Sequence, residues 1–211
     1  MYKNRSEAGE KLALQLKEEL SPENIKNALV LAIPRGGVIV GKSISSFLGL
    51  PLDCLIIKKV PAPQNEELAI GAVAEGGTVV WEEDLCQRLN IPLPYKQEIV
   101  KDKAGELEKK REELCGNRPL PEIKGKTVII ADDGVNTGAT IKAGIAVARS
   151  FVPAEVIVAV PVISPDSLSE IKKTADRVVY LESPEMFFSV EQFYEDFAQP
   201  SDEEVRAILQ K

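Results

Sequence analysis

The run Val128-Ile129-Ile130-Ala131-Asp132-Asp133-Gly134-Val135-Asn136-Thr137-Gly138-Ala139-Thr140 brings together groups able to hold two different parts of one ligand. Its uncharged apolar start reads as a strand buried on both faces, and the carboxylates of Asp132 and Asp133 mark where it leaves the core. Gly134 and Gly138 allow tight turns and close approach of a ligand to the backbone, with Thr137 and Thr140 beside Gly138. Ile141, Ile145 and Ala148 then recur at helical spacing, so the loop opens a helix whose first N–H groups and positive dipole end favour an anion. Carboxylates and phosphate repel, so Asp132 and Asp133 must face hydroxyls or a magnesium shell instead. A sugar phosphate supplies both parts.

An apolar strand, two acids and Thr-Gly-x-Thr at this spacing resemble the 5-phosphoribosyl-1-pyrophosphate (PRPP) motif of type I phosphoribosyltransferases. The resemblance implies that Asp132 and Asp133 hold the ribose 2′- and 3′-hydroxyls. It implies equally that the loop Val135, Asn136, Thr137, Gly138, Ala139 and Thr140 holds the 5′-phosphate. From the residues alone, an acidic pair after a buried strand also fits receiver-type signalling domains, and a Thr-Gly loop also fits a plain strand-to-helix turn.

A second glycine loop follows the first apolar strand, at Pro34-Arg35-Gly36-Gly37. Two glycines let a backbone close on pyrophosphate and the guanidinium offers forked donors, although an ordinary turn with a surface arginine has the same composition. In the family the pyrophosphate loop stands at this place, which carries the role to Arg35, Gly36 and Gly37. Lys58 and Lys59 end the next apolar run, where two ammonium groups could stabilise a leaving pyrophosphate or form a solvated pair.

Composition bounds the partners. A net charge of −7 with pI about 4.9 argues against non-specific nucleic-acid binding and leaves room for a local basic pocket. With no histidine and with Cys54, Cys86 and Cys115 scattered, neither a zinc site nor a histidine base is expected. The cysteines read as buried thiols in a reducing compartment. No apolar run reaches membrane-spanning length. The expectation is a cytoplasmic protein with no membrane and no nucleic-acid partner.

The remaining elements must position these groups. Leu12, Leu16 and Leu20 stripe a helix over Ser6–Leu20, and strands are expected at Ala28–Ile33, Leu52–Ile57, Glu155–Val162 and Asp176–Leu181. Pro61 to Asn65 reads as an exposed loop, which the resemblance makes a mobile lid, and Leu68–Ala74 with Thr78–Trp81 reads as a hairpin turned at Glu75-Gly76-Gly77. Tyr95 to Cys115 reads as a charged helix, either a solvated arm or a homodimer contact, and Asn117–Lys126 as a linker. Ser164-Pro165, Ser189-Val190-Glu191-Gln192 and Ser201-Asp202-Glu203-Glu204 read as helix starts. Alternating strands and helices predict an α/β fold with a doubly wound, mostly parallel sheet and ligands at the strands' carboxyl ends. The resemblance adds a small hood and a hairpin/helical insertion. We expect one domain over 1–211, with a core at about 26–181, an insertion at about 66–118, and a hood from 1–25 and 182–211.

Ile-Pro-Arg-Gly-Gly early and Glu-Leu-Ala-Ile-Gly-Ala-Val-Ala-Glu-Gly-Gly later also resemble a group of phosphoribosyltransferases known only by prediction. The implied reaction is attack by an acceptor nitrogen on ribose C1 of magnesium-bound PRPP with loss of pyrophosphate. Arg35 would stabilise the leaving group, Asp132 and Asp133 would orient the ribose, and Mg2+ would arrive mainly with the substrate. Phe187 and Phe188, in the aromatic-rich tail, either stack on the acceptor in the hood or pack in the core. The chain departs from the hypoxanthine–guanine type at Asn136, where a carboxylate is common, and at Ala139, where a lysine is common. Asn136 cannot act as a base at neutral pH, so water or another group takes the proton, or the acceptor is already anionic. A non-catalytic PRPP or nucleotide sensor is the alternative from another class, and transfer to water is a third.

Overall fold

The computed structural model describes residues 1–74, 77–116 and 118–210, with the side chains of Glu66 and Glu67 left aside. Three apolar segments, β1 (Ala28–Ala32), β6 (Thr127–Ala131) and β7 (Glu155–Val162), are buried almost end to end. Burial on both faces is what their lack of polar alternation requires. With β2 (Leu52–Cys54) and β8 (Arg177–Glu182) they form a five-stranded parallel sheet in the order β2-β1-β6-β7-β8. The register sets Ala32 beside Ala131 and Ala131 beside Ala159, so these strands end level with one another.

Successive side chains on a strand point to opposite faces. Val30, Ala32, Ile129, Ala131, Ile157 and Ala159 therefore meet α1 (Arg5–Glu19) and α3 (Gly36–Leu48) on one face. Leu29, Leu31, Val128, Ile130 and Val158 meet α6 (Ala139–Ser150) and α7 (Pro165–Ile171) on the other. A short α2 (Pro22–Lys26) precedes β1, and α8 (Asp202–Leu209) packs against α3 and β2. The expected doubly wound architecture is present. Among the described residues no helix is long and apolar enough to cross a membrane.

Strands β3 (Ile57–Ala62), β4 (Asn65–Ala74) and β5 (Val79–Trp81) form a small antiparallel sheet that rests on α6; this sheet, largely the expected insertion, acts as a hood, a role expected of the two termini. The helical part of the insertion is α4 (Glu83–Arg88) and α5 (Leu93–Cys115). Three expectations change here. The apolar run from Leu52 to Ile57 is two strands in two sheets, because Leu55 and Ile56 are both buried between them and composition cannot show where one sheet stops. The loop expected at Pro61 to Asn65 is shorter, a tight turn at Pro63-Gln64 with Gln64 and Asn65 exposed: β3 continues through Pro61, which sits at a register shift, the kind of place where a strand tolerates a missing N–H. Finally, α5 is no solvated arm, since Leu107, Arg111, Leu114 and Cys115 are buried and the helix packs on β3, β4 and α8. Glu75, Gly76 and Asn117, expected in the hairpin turn and the linker, lie outside the described residues.

Candidate functional site

Where β1 and β6 end side by side, two loops close on each other. A Cβ on Gly36 would lie 1.9 Å from Asp133 Oδ2, and one on Gly37 would lie 2.7 Å from the Ala131 carbonyl oxygen and 3.0 Å from Asp132 Oδ1. Only glycine lets the Arg35-Gly36-Gly37 turn approach the acidic pair this closely. The structure thus brings Asp132, Asp133, Gly36 and Gly37 together. The peptide bond between Pro34 and Arg35 is cis.

Asp132 and Asp133 differ in their surroundings. Asp132 Oδ1 accepts the Asp133 backbone N–H at 2.9 Å. Burial first, and then the neighbouring Asp133 charge, push the Asp132 carboxyl well above the usual carboxylate range. Asp133 Oδ2 accepts from Arg5 Nε at 2.6 Å in a pair that is nearly excluded from water. Arg5 also donates through Nη1 to the Ala198 carbonyl at 2.8 Å, and its guanidinium lies 3.8 Å over the Phe197 ring. Tyr194 donates its hydroxyl to the Asp133 carbonyl at 2.6 Å, and burial holds that hydroxyl protonated.

The N-terminal helix and the C-terminal tail therefore brace the acidic pair from behind. Neither Arg5 nor Tyr194 was expected at the site. Arg5 carries no sequence signal beyond following Asn4, the cap of α1, while Tyr194 belongs to the aromatic tail that reads equally as hood or packing. Both contacts depend on chain segments meeting from opposite ends, shown also by the bridge between Tyr2 and Tyr194.

On the far side of the acids, Gly134 packs against Val190 and Val162, and Val135 is buried in a bridge to Ile163. Ser164 and Ser167 donate their hydroxyls to the Asn136 carbonyl at 2.5 and 2.6 Å, which fixes the loop below Thr137. Gly138 takes φ 72° and becomes the N-cap of α6, followed by Ala139 and Thr140 in the first turn. Helices α1, α2, α7 and α8 are capped by the side chains of Asn4, Ser21, Ser164 and Ser201, whereas α3, α4, α5 and α6 have no side-chain cap, and α3 and α6 are the two of these that begin at the loops beside the acidic pair. Their first N–H groups are left to another acceptor.

Gly138→Ala is expected to cost about 1–2 kcal/mol in folding, since an L-residue is strained in the left-handed region. The added Cβ would also press on Ser167 Oγ at 3.2 Å. Chemical denaturation of the variant measures this, and an unchanged midpoint would count against the left-handed cap.

The other expected residues separate. With the Gln199 amide oxygen turned towards it, Arg35 donates through Nε and Nη2 at 3.2 and 3.3 Å, so its guanidinium meets the C-terminal tail. Lys58 is the second residue of β3 rather than at a strand's carboxyl end, and it pairs with Glu106 of α5 at 3.1 Å between half-exposed side chains. Lys59 points the other way, into a cleft shared with Ala139 and Lys142 of α6. Phe187 packs on Phe193 at 5.1 Å and lines a cleft of about 550 Å³ with Asn136, Thr137, Ser164 and Glu185. Phe188 is 78% exposed. The start at Ser189 is a 3₁₀ turn, Glu191–Phe193, where Gln192 Oε1 accepts from the Ser189 N–H at 3.3 Å. At Ser201 the capping box is complete.

The chain as a whole is similar to known proteins. Two strains of Mycobacterium tuberculosis carry a protein provisionally named a phosphoribosyl transferase that is 35% identical over 211 residues, covering 100% of this chain and 47% of its own length. The chain thus spans about half the length of the curated relatives it matches. The crystal structure of TT1426 from Thermus thermophilus matches with a TM-score of 0.88 and 37% identity, covering 99% of this chain and 97% of that one. AQ2163 from Aquifex aeolicus, at TM-score 0.53 and 16% identity over 86% of this chain and 74% of its own, shares the fold. With the phosphoribosyl transferase domain matched over residues 2–198, the chain belongs to that family.

Proposed function

We propose that the protein is a magnesium-dependent phosphoribosyltransferase that moves the 5-phosphoribosyl group of PRPP to a nitrogen of a nucleobase or similar acceptor and releases pyrophosphate. One observation carries the reading: the acidic pair stands against Gly36 and Gly37 at the start of uncapped α3, while its own loop runs into uncapped α6. Two anion-binding helix starts with hydroxyl acceptors between them match a sugar carrying phosphate at both ends.

In this reading the first-turn N–H groups of α6, with Thr137 and Thr140, bind the 5′-phosphate, and Asp132 and Asp133 accept the ribose hydroxyls. The Gly36 and Gly37 N–H groups stabilise pyrophosphate as it leaves, with Arg35 swinging from Gln199 to join them. Lys59, across the cleft from Lys142, is better placed than Lys58 to add positive field beside α6. The adjacent carboxylates offer hard oxygen donors and repel each other, so the site suits Mg2+. Asp132 and Asp133 would help to hold it, and it would supply charge neutralisation at the phosphates. Phe187 would face the acceptor across the cleft that also contains Asn136. With Asn136 unable to take a proton, the acceptor reacts as an anion or gives its proton to water.

A second reading, a PRPP sensor without turnover, draws support from Arg5, which already occupies Asp133 Oδ2. Calorimetric titration with PRPP and Mg2+, run beside pyrophosphate-release assays over purines, pyrimidines and small amines, separates the two. Saturable binding with acceptor-dependent release is the expected result. Tight binding without release favours the sensor, and absence of binding removes both.

A further inference from the structure

Cys54 ends β2, the edge strand of the parallel sheet, and Cys115 is the last residue of α5. Their Sγ atoms are 3.0 Å apart, and both residues are buried. We propose that Cys54 and Cys115 form an oxidation site that closes into an intramolecular disulfide on exposure to hydrogen peroxide, stapling the end of the insertion to the parallel sheet.

Several neighbours favour this chemistry over metal binding. The carboxylate of Asp53 lies with the two sulfurs in a cluster that could in principle hold an ion. Both Asp53 oxygens, however, already accept from the Arg111 guanidinium, at 2.8 and 3.0 Å. Arg111 Nη1 is also 3.7 Å from Cys54 Sγ. A fixed cation there opposes a metal ion, and its forked pairing withdraws the carboxylate from use as a ligand.

The order of steps follows from position. Cys54 is fully buried, and its contact with Cys115, followed by burial, pushes its thiol well above the ordinary range, so it stays protonated. Cys115 is also buried but keeps 4% of its surface exposed against none for Cys54, and its Sγ is directed at Asp53 Oδ1 at 3.7 Å. Its neighbours Arg111 and Gly116 line a cleft of about 380 Å³ next to it. The Cys115 sulfur attacks one peroxide oxygen and its proton leaves with the departing hydroxide, giving a sulfenic acid and water. The Cys54 sulfur then displaces the sulfenic hydroxyl as a second water, forming the S–S bond. Two thiols lose two electrons and peroxide gains them. Cys86 stands apart, with its sulfur directed at the Ile70 carbonyl, and serves as an internal control.

The test uses the wild-type protein, treated with hydrogen peroxide, quenched with catalase, denatured and labelled with N-ethylmaleimide. The expected result is one labelled thiol, at Cys86, instead of three, an unlabelled chain two hydrogens lighter, and a Cys54–Cys115 peptide pair released by reductant. Cys54→Ala should leave a sulfenic acid on Cys115 that dimedone traps, and Cys115→Ala should yield no cross-link. The oxidised form should melt about 5–10 °C higher, because the bond closes a long loop. Three labelled thiols after treatment, a link through Cys86, or purified protein carrying one equivalent of zinc with both thiols shielded would overturn the assignment. A lower melting point after cross-linking would overturn the staple. None of these results depends on PRPP binding, so the proposal stands or falls apart from the transferase reading.

Discussion

Asp132→Asn is expected to weaken binding of PRPP with magnesium about 10- to 100-fold, the loss of one or two charge-assisted hydrogen bonds to ribose, while leaving folding stability unchanged or improved. The opposite signs arise because the wild-type carboxyl is buried beside Asp133, which raises its pKa in the folded chain. A carboxyl with a raised folded pKa binds protons more readily folded than unfolded. Its contribution to stability is fully present below the ordinary carboxylate pKa and is lost as pH rises through the raised value. Asparagine does not titrate, so the variant's advantage over wild type should be greatest above that value and fade as pH falls to the ordinary carboxylate range. Titration calorimetry and denaturant unfolding at several pH values read both effects. Unchanged PRPP affinity would remove Asp132 from the site.

The second large effect is on folding. Arg5→Met should cost about 3 kcal/mol, as expected when one partner of a buried ion pair is removed and the other is stranded. For a chain of 211 residues that corresponds to a fall in melting temperature of roughly 10 °C. Three contacts disappear together: the pair with Asp133, the donation to Ala198 and the packing over Phe197. Asp133→Asn should be costly for the same reason, in contrast to Asp132→Asn, because it leaves a buried guanidinium unpaired. Adding Asp133→Asn to Arg5→Met should cost less than the two separate losses combined. Strict additivity in this cycle would show that the pair is not a unit.

How much of this was legible in the sequence depended on how local each cause is. The bounds of β7 and the start of β1 follow from uninterrupted apolar residues, and the α6 loop follows from glycine, threonine and a helical repeat, all within a few positions. The level ends of β1 and β6 are implied by the parallel fold, which is why Gly36 and Asp133 could be expected near each other. Lys58 was misplaced because the run from Leu52 to Ile57 looks like one strand, and nothing in it marks the crossing from one sheet to another. The burial of α5 was hidden by its surface charge, since its packed side is marked by few apolar residues, fully buried at Leu107, Leu114 and Cys115 and partly at Tyr95, Ile99 and Val100, with Arg111 turned onto Asp53. Arg5 had no readable pattern at all, because its meaning comes from Asp133 and Ala198.

The same topology has a consequence in time. Strand β6 lies between β1 and β7, yet the whole hood and α5 come between β1 and β6 in the chain, and the register joins Ala28 to Thr127. Closing so long a loop costs entropy before any contact repays it, which makes such a pairing slow. During synthesis β1 and β2 emerge early with no central strand beside them, and the acidic pair arrives on that strand. Its braces at Tyr194 and Ala198 come later still. Ligand-binding competence should therefore appear as one of the last events of folding, after the hood has already formed its own sheet.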